Sequence, residues 1–93
     1  MDTKQKYVKL KEYDSIIIFP CIIEHSEFKR LNPVSAGFCY LNSEIDRVDC
    51  FGESHSLGLS SNVKEDTLQA TKQIFGIDAM LTLLSSTNNN EKP

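Results

Sequence analysis

The sequence has few of the features that mark a secreted or membrane-bound protein. Its 93 residues contain no long apolar run. The longest one, IIIFPCII at residues 16–23, is too short to span a bilayer and contains a proline. The chain opens with the polar residues MDTKQ, which do not resemble a signal peptide. These absences predict a cytoplasmic protein without a membrane span.

The three cysteines form no close pair, and the 10 basic residues are outnumbered by 13 acidic ones. Cys21, Cys39 and Cys50 are odd in number and widely spaced, which predicts reduced thiols and not a disulfide framework. The net charge of −3 argues against nucleic acid as a partner, because phosphate binding needs clustered lysine and arginine. The lysines between residues 4 and 11 are followed at once by acidic residues, so we interpret them as the outer face of a strand.

Motifs for metal or cofactor binding are missing. Zinc ligands usually come as close pairs of cysteine or histidine, which place two ligands on one turn, and this chain has no such pair. It also lacks the glycine-rich loop and lysine that bind nucleotide phosphates. We therefore predict no metal site and no cofactor.

What is present predicts an α+β fold, with a mainly antiparallel four-stranded sheet. Two hairpins are each followed by a helical segment, and the main C-terminal helix packs on one face of the sheet. The predicted elements are strands 7–12 and 16–23, a short helical turn 26–31 capped by Ser26, strands 34–41 and 48–59, and a helix between its cap Asn62 and Gly76.

The second hairpin has a register in which like residues face each other, with Leu41 opposite Val48. A shift by two residues is an alternative. One face of this hairpin is rich in small residues, which indicates either a closely packed helix or a ligand shelf or subunit interface. For its two cysteines, buried thiols are favoured over a disulfide or redox switch. The matched pairs are Cys39 with Cys50, Phe38 with Phe51, Gly37 with Gly52, and Ser35 with Ser54.

The apolar segment IDAMLTLL, residues 77–84, follows a core that is already complete over about residues 7–76. It must pack back onto the domain or meet another subunit. We assign residues 1–84 to a single domain and residues 85–93 to a disordered tail. The residues predicted to form a homo-oligomer contact are Ile77, Met80, Leu81 and Leu84.

The stretch SHSLG at residues 54–58 matches four positions of the lipase motif that carries a nucleophilic serine, here Ser56. That motif needs a helix directly after the serine and a large parallel sheet. Neither is predicted, because the chain continues extended as far as Asn62. We therefore predict no catalytic residue.

Two polar clusters supply the candidate ligand- or partner-binding residues. Each joins a carboxylate to a histidine and a serine, a combination that can bind polar groups and assist proton transfer. If the clusters meet, they make a polar, partly anionic pocket; the alternative is exposed polar decoration. The candidates are Glu53, Ser54, His55 and Ser56 in one cluster, and Glu24, His25 and Ser26 in the other.

The phrases HSEF, VSAGFC and CFGESHSLGLSS resemble a group of small uncharacterised proteins of phages and bacterial mobile elements. The resemblance implies a non-enzymatic antagonist that blocks a host protein or sequesters a nucleotide signal inside a homo-oligomer. Our leading prediction is a non-enzymatic binding or inhibitory protein with a protein partner. The alternatives are a homo-oligomer that sequesters a nucleotide-like ligand, and a small hydrolase.

Overall fold

The structure is a computed structural model that describes residues 3–12 and 15–91, with side chains as far as residue 85. It confirms the α+β class. The elements in chain order are β1 (Lys4–Leu10), β2 (Ser15–Phe19), a 3₁₀ helix (His25–Leu31), β3 (Pro33–Asn42), β4 (Arg47–Phe51), β5 (Glu53–Ser54), β6 (Leu59–Ser60), α1 (Val63–Phe75) and α2 (Ile77–Glu91).

The main sheet has four antiparallel strands, as predicted, and their order is β2-β1-β3-β4. The second strand is shorter than expected, because it ends at Phe19, before Pro20, which cannot donate a backbone hydrogen bond. The 3₁₀ helix begins one residue before the predicted cap Ser26, with Glu24 in the cap position and no side-chain cap bond.

The predicted register of the second hairpin is confirmed where β3 pairs with β4. Cys39 lies opposite Cys50, and Leu41 lies opposite Val48. The predicted strand 48–59 is wrong beyond Phe51, because Gly52 has a positive φ of 80° and turns the chain out of the sheet. The residues that follow form the β5–β6 hairpin instead, so the expected pairings of Gly37 with Gly52 and of Ser35 with Ser54 are not made.

Helix α1 packs on the face that carries the small residues, which confirms the closely packed helix as the reading of that face. The apolar pattern of the sequence predicts a buried stripe of Val63, Leu68, Thr71, Ile74 and Phe75 on this helix. That prediction is partly wrong, because Val63 is 55% exposed and Ile74 is 46% exposed. Asp66 is fully buried in their place, so the helix is rotated about its axis relative to the expectation. The core on this side consists of Tyr7, Ile16, Cys39, Val48, Cys50 and Ala70.

Side chains of α1 bond to both edge strands of the sheet. The backbone N–H groups of Val48 and Cys50 in β4 donate to the hydroxyls of Thr71 and Thr67, at 3.0 Å each. On the opposite edge, the Gln73 amide accepts from the N–H of Ile16 in β2 and donates to its carbonyl. At these positions the helix satisfies backbone groups that another strand would otherwise pair.

The other face of the sheet is only half covered. The 3₁₀ helix and the β5–β6 hairpin cover one half, where a second core forms. Beyond them, side chains of β1, β3 and β4 line an open surface. The second core consists of Val8, Leu10, Phe19 and Ala36, with Phe28, Leu57 and Leu59 packed against it.

Helix α2 starts directly after Gly76, whose φ of 101° ends α1. Ile77 and Leu81 are about half exposed, whereas Met80 and Leu84 are partly buried. The helix continues into the predicted tail, and the boundary at residue 84 stays a prediction. The radius of gyration is 13.2 Å, which fits one compact domain. Within the described ranges, no helix is long and apolar enough to cross a membrane.

Candidate ligand cleft

An open cleft of about 660 Å³ lies on the half-covered face of the sheet. Both predicted polar clusters line it, apart from Ser26. The predicted residues at the cleft are Glu24, His25, Glu53, Ser54, His55 and Ser56. The residues that sequence reasoning missed are Lys4, Lys6, Phe38, Phe51 and Gly52.

Three parts of the fold build the cleft. The start of the 3₁₀ helix supplies Glu24 and His25, and the β5–β6 hairpin supplies residues 53–56. The outward face of the sheet between them supplies the lysines of β1 and the phenylalanines of β3 and β4. The turn at Gly52 is what brings the hairpin to the cleft.

His25 is an anchor within the cleft wall. It is 4% exposed, and its Nε2 lies 2.8 Å from the carbonyl oxygen of Gly37. Because a carbonyl can only accept, Nε2 is the donor. The imidazole also packs against Phe19 and Phe38 at nearly perpendicular ring angles. These contacts fix the 3₁₀ helix on the sheet.

The SHSLG stretch is the turn of the β5–β6 hairpin. The Ser54 hydroxyl is buried, accepts from the N–H of Leu57 at 3.3 Å and lies 3.4 Å from the Ser56 hydroxyl. Gly58 closes the turn with a φ of 66° and donates to the carbonyl of His55. The expectation of an extended chain here is wrong. The arrangement is strand, turn, strand, and a nucleophilic serine of the lipase kind would need strand, turn, helix.

The cleft is mixed in charge. The side chain of His55 is 92% exposed, and its Nδ1 lies 3.6 Å from a carboxylate oxygen of Glu53. Glu24 and Glu53 bring two carboxylates to the cleft, and two lysines of β1 bring two ammonium groups. The ammonium of Lys6 donates to the carbonyl of Ile23 at 2.9 Å. The ammonium of Lys4 lies over the ring of Phe38. The cleft therefore offers partners to both negative and positive groups of a ligand.

An aromatic row runs along the floor of the cleft and continues past it. The rings of Phe38 and Phe51 are 6.0 Å apart, and Phe51 stacks on Tyr40 at 5.3 Å with an interplanar angle of 12°. Lys4 lies 4.8 Å above the Phe38 ring centre. A flat ring system and a positive charge therefore adjoin each other on one surface, which suits an aromatic ligand with an acidic group.

A buried polar network lies under the opposite face, around Asp66. One carboxylate oxygen accepts from the hydroxyls of Tyr7 at 2.5 Å and Ser35 at 2.7 Å, and from the N–H of Asn62 at 3.1 Å. The predicted side-chain cap by Asn62 is not made, and the backbone N–H of Asn62 is the group that bonds to Asp66. Burial and the Asp66 bond raise the pKa of the Tyr7 hydroxyl above its usual range.

Burial also suppresses ionisation of the paired thiols. It raises the pKa of Cys39 to about 12, and it raises the pKa of Cys50 above its usual range. Both are free thiols, as predicted. Among the described residues, no group of three or more histidine, cysteine, aspartate or glutamate side chains could hold a metal ion.

The free energy of unfolding should fall as the pH rises from about 9 to 12. The thiols ionise in the unfolded chain near their ordinary pKa, whereas Cys39 in the folded protein stays protonated to about 12. Protons are therefore released on unfolding. Each thiol lowers the free energy of unfolding by at most about 1.4 kcal/mol per pH unit. Urea unfolding at several pH values checks this. A flat profile from about pH 8 to 10 would contradict it, and Cys39→Ala should flatten the slope.

The fold defines a small α+β protein with an open, mixed-charge cleft on one face of its sheet. Comparison of the chain with protein-family models, with curated proteins and with solved structures finds no match.

Proposed function

We propose that this protein is a non-enzymatic binding protein and that its cleft binds a small, nucleotide-like ligand. The proposal rests on one observation: two polar segments that are distant in sequence meet two lysines and two aromatic rings around one cleft. Its volume of about 660 Å³ lies in the ordinary range for sites that hold small molecules. The cytoplasm, where free nucleotides occur, is the location that we propose.

The chemistry of the cleft fits the parts of a nucleotide. Phe38 and Phe51 provide ring faces on which a base can stack. Lys4 and Lys6 provide ammonium donors for phosphate oxygens. The exposed carboxylate of Glu53 can accept from sugar hydroxyls or from an amino group of the base.

Binding without catalysis is supported by how the potential reactive groups are used. His25 bonds to a backbone carbonyl, and the Ser54 hydroxyl holds the hairpin turn. The Nδ1 of His55 is directed to Glu53, and its imidazole is open to water. Catalytic groups usually work where water is excluded. A small hydrolase therefore has less support than a binding protein.

A protein partner is the second candidate function, and the apolar surface of α1 and α2 favours it. Ile74, Ile77 and Leu81 are each between 46% and 52% exposed. A second copy of the chain could cover this surface through Ile77, Met80, Leu81 and Leu84, which would make the ligand binder a homo-oligomer. A host protein could cover it instead, as expected of a phage-type antagonist.

Native mass spectrometry of the protein purified from cells tests both candidates. We expect a bound mass of nucleotide size, which is lost on mild denaturation. Adenosine and guanosine mono- and triphosphates should then raise the melting temperature of the stripped protein, because a ligand at a hundred times its dissociation constant adds about 2.7 kcal/mol. An empty monomer that no nucleotide stabilises would contradict the ligand proposal and leave the protein partner.

The exposed histidine provides a matched variant. His55→Ala should leave the melting temperature of the empty protein unchanged, because the side chain is 92% exposed. It should reduce the nucleotide-induced shift, since it removes one wall of the cleft. Lys29→Ala, on the exposed part of the 3₁₀ helix, should change neither value.

A further inference from the structure

We propose that Lys4 is the residue by which the cleft prefers a phosphorylated nucleoside to an uncharged one, and that its ammonium leaves the Phe38 ring when the ligand binds. This inference rests on the proposed function and adds which residue sets the specificity. The two can fail separately, as the test below shows.

The side chain of Lys4 lies over an aromatic ring. Its ammonium lies 4.8 Å from the centre of the Phe38 ring, at the edge of the cleft. The residue is exposed, and its backbone carbonyl accepts from the Cys21 thiol. A cation held over a ring at an exposed site is bound weakly. The backbone of Lys4 is therefore held in place, whereas its side chain is free to exchange one partner for another.

The Phe38 ring is bordered by other groups on its remaining sides. The imidazole of His25 meets it edge-on at 5.7 Å, and Phe51 adjoins it at 6.0 Å. Gly52 is so close that an added β-carbon would lie 3.1 Å from the ring. The face under Lys4 is therefore the one on which a flat ligand can stack, and a base that takes it must displace the ammonium.

The displaced ammonium makes the site selective. An uncharged nucleoside removes the cation from the ring and offers no charge in return. A nucleoside phosphate offers phosphate oxygens, which form charge-assisted hydrogen bonds with the ammonium, and these are stronger than bonds between neutral groups. The same displacement is thus unfavourable for one ligand and favourable for the other.

Lys6 differs from Lys4 in its contact. Its ammonium donates to the carbonyl of Ile23 at 2.9 Å, which ties the segment after β2 to β1. A ligand can use the remaining protons of this ammonium without moving it, so Lys6 adds positive charge but need not switch partners. This contrast assigns the selective role to Lys4.

Isothermal titration with adenosine, adenosine monophosphate, guanosine and guanosine monophosphate tests the proposal at one fixed salt concentration. The wild-type protein should bind at least one monophosphate about tenfold or more tightly than its nucleoside. Lys4→Met keeps a side chain of similar length without the charge, so it should reduce that preference to near one while binding the nucleoside at least as well. Lys29→Met, on the exposed 3₁₀ helix, should keep the wild-type preference.

Each outcome decides one proposal. If Lys4→Met keeps the wild-type preference, the role of Lys4 is overturned and the proposed function stands. If the wild-type protein binds none of the four compounds, both are overturned. Should Lys4→Met not fold, Lys4→Gln replaces it. In addition, the methylene protons next to the Lys4 ammonium should lose their ring-current NMR shift when the monophosphate binds; an unchanged shift in the bound state would refute the displacement.

Discussion

Gly37→Ala is expected to lower the free energy of unfolding by about 3 kcal/mol, which is a large part of the stability of a small domain. Gly37 lies in β3, and a β-carbon added there would collide with the carbonyl oxygen of Phe51 on β4. That obstacle is backbone, so it cannot turn aside as a side chain can. The strands would have to separate beside Gly52, where the chain leaves the sheet. Urea unfolding of both proteins measures the difference.

Gly58→Ala is the matched control, because an added β-carbon there has no atom within 4 Å among the described residues. Its φ of 66° still disfavours alanine, at a cost of about 1 kcal/mol. Gly37 itself has no positive φ, so its variant tests the collision alone. If Gly37→Ala loses no more stability than Gly58→Ala, the strands relieve the collision at little cost and the expectation is wrong. Since Gly37 also accepts from His25, its variant should weaken ligand binding by moving the wall of the cleft.

Asp66→Ala is expected to be the more damaging change, with a loss of about 4 kcal/mol. The carboxylate accepts from Tyr7, Ser35 and the N–H at the start of α1. Removing it leaves these buried donors without an acceptor and opens a cavity between helix and sheet. Thermal and urea unfolding, followed by circular dichroism, provide the measurement.

Asp66→Asn separates the two causes. It keeps the volume and one acceptor oxygen, but it places an amide nitrogen where the other carboxylate oxygen has no hydrogen-bond partner in the described part of the chain. We expect a loss of about 2 kcal/mol, between wild type and Asp66→Ala. If both variants are as stable as the wild-type protein, the network contributes little to stability.

The sequence pattern was enough to predict how the strands of the second hairpin pair. Like residues face each other along β3 and β4, and the register that follows is the one observed. The end of β4 could not be predicted in this way, because a glycine suits both a strand interior and a turn. The positive φ of Gly52, which only the three-dimensional structure reveals, identifies it as the turn.

The site was predictable only where its residues are neighbours in sequence. The clusters around His25 and His55 were visible as short polar segments, and both line the cleft. Lys4 and Phe38 were not, since β1 and β3 bring them together over more than 30 positions, and a lysine on a strand gives no local sign of what lies beside it. Asp66 was missed for a related reason: an acidic residue on a helix indicates a solvent-facing position unless its donors are known.

The bonds from α1 to the two outer strands bear on how this protein behaves when it is concentrated. An unpaired strand is a template on which another chain can add, and successive additions produce fibrils. Side chains of α1 already bond to backbone groups of these strands, so those groups are not open to another chain. The bonds are from Thr71 to Val48, from Thr67 to Cys50 and from Gln73 to Ile16. Growth by strand addition would first have to break helix contacts that also hold the core. If the proposed binding function holds, these bonds would limit fibril growth at the concentrations that a stoichiometric binder needs.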